Sequence, residues 1–391
     1  MHQDIEVLSG RFGNRRGTSE YELSAANYLY KRFKLFSPFT YLDSFLTIES
    51  IFLLFAMYYT EFLVVAIITW GTTIASLSFG FKISGIATIY GIFLFVAYLV
   101  ESNGLRLVSR FIPSSESQNV VAPFHVEKPK RLIVVTAGYD TQVDGILSKL
   151  LKSGYAHWVH RCILILMIAV IVTTAASDLA AHQGSSLLWA SVLRWSAIAC
   201  LLGAALSLFV HDRYGEDVRG ANNNASGVGT LLNLAEELHS IPLEHSDVWL
   251  VALGNSYGSQ EGIRHILDTV PQSVEETHII NLQGVGCGKL VYLTKEGFMN
   301  THPYRKKLID LADELAPQYR IQSGQYSGLP TPTHWPSQHG YSALSMMGLE
   351  NGIDSPHAWS CSDRHTQIDD ESIKRATAFS STLLHSLDSA N

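Results

Sequence analysis

Hydrophobic and polar positions alternate in three distinct ways along this chain of 391 residues. From about Phe45 to Val100 almost every position is apolar, with Glu49, Glu61 and Lys82 the only charges. That run is long enough for two spans of roughly 20 residues each, near 50–70 and 83–100, with a turn between Gly71 and Lys82. A second apolar pair, Cys162 to Ser177 and Leu187 to Val210, is divided by the polar DLAAHQGSS. The second pattern is that of strands, SQNVVA, RLIVVTAGYD, VWLVALG, HIINLQGVG, VYLT and YSALSMMG, and in RLIVVTAGYD the run Leu132, Ile133, Val134 and Val135 is one that a parallel sheet buried on both faces would use. The third is helical spacing. Ile5 and Leu8, then Tyr21, Ala25, Tyr28 and Leu29 with Thr18 as a cap, place a helix within residues 1–36. Further helices are predicted through Ile263 to Leu267, from Pro303 to Leu315 and from Glu371 to Leu387. Strands and helices that alternate in this way predict an α/β, three-layer domain with a mixed, mostly parallel sheet.

The stretch Arg219 to Leu238, RGANNNASGVGTLLNLAEEL, joins two of these patterns. Asn222, Asn223, Asn224 and Ser226 suit a turn and an N-cap, and Val228, Leu231, Leu232, Leu234 and Ala235 follow at helical spacing. A run of asparagines at this place is more commonly a turn that caps a helix than a polar binding patch.

GANNNASG resembles the G-A-(N/D)-D-N-A-S-G loop of the family 28 zinc aminopeptidases of clan MH. LSGRFGNRRGTSEYELSAANYL is similar to the opening of the same family, and GNSYGSQEGIRHIL aligns with its G-A-E-E-x-G-L-x-G segment. The resemblance covers the polar parts of the chain, some 250 to 270 residues, and implies the family's three-layer fold. It also implies a set of site positions. In the family the second acidic residue of the loop bridges two zinc ions, and here that position is Asn223. The ligand histidine at the end of the second strand becomes Gly138, whereas the aspartate two residues on is kept as Asp140. The general base becomes Ser256, and the neighbouring glutamate ligand becomes Tyr257. NLQGVG puts Gln283 at the place of an aspartate ligand. The last ligand, a histidine, falls on His357 if IDDESI anchors the alignment and on His365 if HTQID does; the anchor to the closing helix also aligns Asp363 and favours His357.

The resemblance therefore implies a site with four of five ligands and the base replaced. An amide offers one neutral acceptor and turns donors toward a cation, and a phenol with a pKa of about 10 cannot take a proton from metal-bound water near pH 7. Neutral residues at these positions predict no cofactor and no bound metal, with zinc as the weaker alternative. His334, His339, His357 and His365 crowd the C-terminal part, but loop histidines without acidic partners are more often just that.

The resemblance also bears on topology. Residues 1–44, 103–160 and 212–391 belong to one domain on this reading, so the apolar runs at 45–102 and 161–211 must each leave and return as hairpins, giving about four transmembrane helices. Lys31, Arg32, Lys34, Arg106, Arg110, Lys149, Lys152, Arg161, Arg213 and Arg219 flank the domain side, whereas the tips hold only Lys82. The positive-inside rule then predicts an integral, multi-pass inner-membrane protein with its domain in the cytoplasm. Glu61 in mid-span is costly in lipid; it is read either as an ion pathway or as a structural partner of Arg194 in the fourth span, the latter favoured. Tyr58, Tyr59, Trp70, Trp189 and Trp195 suit interface positions.

Composition narrows what remains. The chain is 47% hydrophobic and only 16% charged, with a net charge of -7 and no basic stripe, which argues against nucleic acid as a partner. Four scattered cysteines make no disulfide framework, and the N-terminus lacks the apolar core of a signal peptide. The expected function is a catalytically inactive, aminopeptidase-like scaffold or binding subunit in contact with lipid and a protein partner. Two alternatives stay open: an active hydrolase using Asp140, Glu261 and the C-terminal histidines, and a small transport component built round Glu61.

Overall fold

The structure, a computed structural model, describes residues 2–75, 80–102, 106–152, 155–183, 187–257, 260–297, 301–350 and 355–390. The chain divides into two compact units, residues 1–49, 114–144 and 216–391 in one and residues 50–113 and 145–215 in the other.

The first unit is built on a nine-stranded sheet. Its strands are β1 (Tyr41–Thr47), β2 (Ser115–Phe124), β3 (Arg131–Gly138), β6 (Ser246–Leu253), β7 (Thr277–Gln283), β8 (Lys289–Glu296), β9 (His302–Pro303), β10 (Gln322–Tyr326) and β11 (Ser342–Leu349). A separate short ribbon pairs β4 (Val143–Asp144) with β5 (Glu216–Asp217). The main order is β1-β2-β6-β3-β7-β11-β8-β10, with β9 on β8. The central strands β6, β3, β7 and β11 run parallel. The flanks β1–β2, β2–β6, β11–β8 and β8–β9 are antiparallel. The sheet is thus mixed, and parallel pairing dominates its centre rather than the whole.

Alternation along the central strands divides the core into two faces. Val120, Ile133 and Val135 point to one side, where they meet α1 (His2–Gly10), α2 (Glu20–Phe33), α8 (Ser226–Ser240) and α12 (Asp370–Ser389) through Ile5, Leu29, Leu231 and Phe379. Val121, Leu132 and Val134 point to the other, against Ile263 and Ile266 of α9 (Glu261–Thr269). These side chains are all nearly or fully buried, each contributing roughly 1.5–3 kcal/mol. Helix α8 lies so close to β7 that a Cβ on Gly227 would sit 2.3 Å from the Leu282 carbonyl oxygen. α10 (Lys306–Leu315) and α11 (His334–Gln338) complete this unit.

Three details depart from the sequence reading. Residues 1–36 form two helices, and the cap of the second is Ser19, whose hydroxyl accepts from the Glu22 N–H; Thr18 has a left-handed φ of 65°. Tyr21 is exposed there, while Ala25, Leu29 and Phe33 carry the buried face. The start of the long apolar run, Phe45 to Thr47, belongs to edge strand β1, where Phe45 and Thr47 are buried.

Among the described residues the second unit holds four helices long and apolar enough to cross a membrane: α3 (Ile51–Ala75), α4 (Gly80–Ser102), α6 (Ala156–His182) and α7 (Leu188–Tyr214), preceded at α6 by the short α5 (Ser148–Lys152). Consecutive helices pack as pairs, α3 on α4 and α6 on α7, and the pairs meet through α3–α7 and α4–α6. Tyr59 is buried, and its hydroxyl lies 3.1 Å from that of Tyr98, which is 3.0 Å from His160 Nδ1. Tyr58 is also buried, so these two tyrosines join helices rather than marking an interface, whereas Trp70 and Trp189 are about half exposed. Glu61 accepts from the Tyr90 hydroxyl at 2.8 Å. Arg194 does not serve it: this guanidinium donates to Ser177 Oγ at 3.1 Å and to the Thr173 carbonyl. The tip residues 76–79 and 184–186 lie outside the described residues.

Candidate functional site

The carboxyl ends of β3, β6 and β7 lie side by side, and a parallel sheet offers its natural site there. The loops beyond them carry most of the positions singled out from the sequence. Gly138 ends β3 and Asp140 follows it, Ser256 and Tyr257 follow β6, and Gln283 ends β7. Asn223 sits in a five-residue π-helical turn, Ala221–Ala225, that runs straight into α8.

That turn is not capped by its own side chains. Ser226, offered by the sequence as the cap, is already helical, and its hydroxyl turns back to the Asn222 carbonyl. The cap comes from far along the chain: Asp363 accepts from the Asn222 N–H at 2.5 Å and the Asn223 N–H at 3.1 Å. A carboxylate suits a helix N-terminus because the free N–H groups and the helix dipole both favour negative charge. The Asn222 amide fastens the same segment, donating to Ser355 Oγ and the Pro356 carbonyl and accepting from the Gly286 N–H.

Asn223 points the other way. Its Nδ2 lies 2.5 Å from the Tyr257 hydroxyl, and Gln283 Nε2 lies 3.1 Å from the same oxygen. The Tyr257 ring packs edge-on against Trp359 at 5.6 Å. Three of the positions singled out from the sequence thus meet at a phenol oxygen that accepts from two neutral amides.

Gly138 and Ser256 interlock beside them. A Cβ on Gly138 would fall 2.3 Å from Ser256 Oγ. The hydroxyl occupies that space to reach Asp140 Oδ1 at 2.5 Å, and the Ser256 N–H donates to the same oxygen at 3.0 Å. Burial pushes Asp140 up to about 6, opposed by these two bonds. Asp363 is likewise pushed up to about 6 by burial, against the pull of the Asn222 and Asn223 N–H groups and the nearby His357. His357 sits at a left-handed φ of 63° with Nδ1 2.9 Å from Ser362 Oγ. His365 lies apart, its ring edge-on to His2 at 6.4 Å. Of the two C-terminal candidates, His357 is the one placed by Asp363.

Two charged groups that sequence reasoning missed hold this region together. Arg15 is fully buried and donates to the carbonyls of Tyr139, Leu8, Phe12, Arg219 and Gly220. Burial pulls it down to about 10, against the fields of Asp140 and Asp363, so it stays cationic at neutral pH. Glu22 accepts from the N–H groups of Thr18 and Asn255 and from the Ser117 hydroxyl. Burial, then the charge of Asp140, pushes Glu22 up to about 8. The Ser19-x-x-Glu22 capping-box spacing was the available signal for Glu22; nothing in the local pattern set Arg15 apart from its neighbour Arg16.

The cavity lined by Gly138, Asn223, Asn224, Ser256, Tyr257, Gln283, Pro330 and Pro332 measures about 10 Å³, room for about one water. Asn224 Nδ2 is buried here with no hydrogen-bond partner among the described residues, and a water would satisfy it. Glu261 is elsewhere, paired with Arg264 at the start of α9. His334 and His339 sit on and just after α11, His339 stacked on Trp335.

A zinc pair needs several carboxylate or imidazole ligands. Asn223 and Gln283 turn NH₂ donors inward, Tyr257 places a neutral phenol between them, and Asp140 is engaged by Ser256. Among the described residues, no group of three or more His, Cys, Asp or Glu side chains is placed to hold a metal ion. The residues present do not fit the zinc pair.

No protein-family model matches this chain, and no curated protein matches it by sequence. Solved structures do match by fold. The chain is similar to a zinc aminopeptidase from Bacillus subtilis, with 12% identity, a TM-score of 0.55, and coverage of 100% of this chain and 95% of that one. It is similar to a glutaminyl cyclase from Tannerella forsythia at 14% identity and a TM-score of 0.54, covering 98% and 96% of the two chains. An aminopeptidase from Aneurinibacillus sp. strain AM-1 matches at 11% identity and a TM-score of 0.55, covering 99% and 92%. At this identity the likeness concerns the fold alone, and the fold is aminopeptidase-like.

Proposed function

We propose that an aminopeptidase-like fold has here been retained without its chemistry, and that the protein is a catalytically inactive, multi-pass membrane protein acting as a binding or scaffold subunit. The observation that carries this reading is the Tyr257 hydroxyl held between the amides of Asn223 and Gln283. That hydrogen-bonded plug stands where a pair of cations would need anionic oxygens. The position matched to the base is neutral as well: Ser256 is a donor to Asp140, and its hydroxyl cannot accept a proton from water near pH 7.

The four apolar helices, with the basic residues gathered on the domain side of the sequence, support a membrane location with the domain in the cytoplasm. The alternative of an active hydrolase would need Asp140 and Glu261 to act together, yet Asp140 faces Ser256 and Glu261 faces Arg264. The test is hydrolysis of a panel of aminoacyl and N-terminal glutaminyl reporter peptides by the full chain purified in detergent, with and without added zinc. The expected rate equals the buffer blank in both cases. Zinc-stimulated turnover that is lost on Asp140→Ala would overturn the reading.

A further inference from the structure

Strand β1 ends the strand order, with β2 on its inner side, and among the described residues no other strand pairs with its outer edge. Natural sheets protect such edges with lysine, proline, a bulge or a covering element, because the open N–H and C=O groups invite another strand. The YLDSFLT run of β1 has no lysine and no proline, and its register on β2 is unbroken from Tyr41↔Val121 to Thr47↔Ser115.

Beside this edge lies an open hollow of about 380 Å³. Ser44, Phe45 and Leu46 all line it. The hollow lies between β1, its neighbour β2 and helix α9. Leu46 is 63% exposed. The remaining walls are Glu116, which pairs with Leu46 in the ladder, and Glu261, His265 and Asp268 of α9, so three of these four are carboxylates. Asp43 adds a further carboxylate, 3.2 Å from His265 Nε2. The nearby cation Arg264 is drawn to Glu261 at 3.3 Å and lies over the Trp335 ring.

We infer that the β1 edge is a docking site for an extended, cationic segment of another protein, which adds to the sheet as a strand and sets its lysines or arginines beside Glu116 and Asp268. Main-chain hydrogen bonds along an open edge give affinity, and alternate side chains give specificity. Charge chooses the partner. A second copy of this chain fits poorly, because pairing two β1 edges about a two-fold axis would bring the same carboxylates together. The site is also distinct from the cavity around Tyr257, which has room for only about one water. The inference rests on the binding-subunit reading for its biological role, and it names where that binding occurs.

Fluorescence anisotropy tests it with the full chain in detergent and a labelled peptide of about eight alternating lysines and valines. Two control peptides separate the causes: one with glutamate for lysine, and one with proline for valine, which keeps the charge but cannot form a strand. The lysine–valine peptide is expected to bind, and both controls to bind at least about tenfold more weakly, as befits a mode that needs main-chain bonds and cations together. The Glu116→Gln/Asp268→Asn variant, altered only at exposed side chains, should weaken binding about threefold to tenfold, the worth of two exposed ion pairs. Equal binding of the proline peptide, or no change in the double variant, overturns the inference. Self-association of the wild-type chain that Leu46→Lys abolishes would also overturn it, by assigning the edge to a second copy. Zinc-dependent peptidase activity would sink the proposed function while leaving this peptide result to be judged alone.

Discussion

Asn223, Tyr257 and Gln283 meet at one oxygen. Each amide donates to one phenol oxygen, at 2.5 and 3.1 Å, so a charge placed at either amide faces an oxygen rather than a cation. Asn223→Asp with Gln283→Asp should therefore lower the thermal unfolding temperature of the zinc-free chain, because a desolvated, unpaired carboxylate costs several kcal/mol unless its pKa rises. A double variant as stable as wild type would show that the pocket accommodates carboxylates at both positions. The Gly138–Ser256 pair makes a second statement at this scale. Gly138→Ala should destabilise by about 1–3 kcal/mol through overpacking, and by clearly less in a Ser256→Gly background; equal costs in both would mean that the two positions do not share one space. These residues were legible in the sequence because each falls inside a motif: Asn223 in GANNNASG, Ser256 and Tyr257 in GNSYGSQEG, Gln283 in NLQGVG. Their mutual bonds were not, since hydrogen bonding between Tyr257 and residues 26 and 34 positions away depends on how three loops converge.

Elements are held to this site by buried charge. Arg15 joins α1, the end of β3 and the Gly220 loop through five carbonyl oxygens, so Arg15→Met should cost about 3–5 kcal/mol, the range seen when a buried charge loses its counterpart. Glu22 joins the start of α2 to β2 and to the loop after β6. Its proton makes a pH signature. Glu22 is raised to about 8 and Glu296, which accepts from the Tyr304 hydroxyl in another buried cluster, to about 7; Asp140 and Asp363 are raised to about 6. The folded chain keeps protons that the unfolded chain releases above its ordinary carboxylate range. Stability should therefore fall as pH rises through that window, from about 4.5 to 8, and level off above it. Thermal unfolding at pH 6 and pH 8.5 reads this directly: Glu22→Gln should narrow the difference, and an undiminished slope would remove Glu22 as its source. The strands were legible from their apolar runs and the four long helices from length and composition. Edge strand β1 was not, because YLDSFLT merges into the apolar segment that follows and only pairing with β2 separates them. The two-helix N-terminus was missed for a related reason: Arg11 to Ser19 is a loop organised by Arg15, whose partners lie up to about 200 residues away.

At the scale of the whole molecule, the chain joins an aminopeptidase-like unit to a unit that holds four long apolar helices among the described residues. On the proposed orientation, with the helix tips outside the cell and the larger unit inside, a label should reach Gln183→Cys in intact cells and Ser327→Cys only after lysis, in a background lacking the native cysteines. The opposite labelling pattern would reverse the topology. Whatever its orientation, the reading stands or falls on the metal. The most direct measurement is elemental analysis of the full chain, purified in detergent, exposed to excess zinc and then exchanged into a weak chelator. The account predicts no stoichiometric zinc, because Gly138, Asn223, Tyr257 and Gln283 offer no anionic ligand. About two zinc ions per chain, lost on Asp140→Ala, would contradict it.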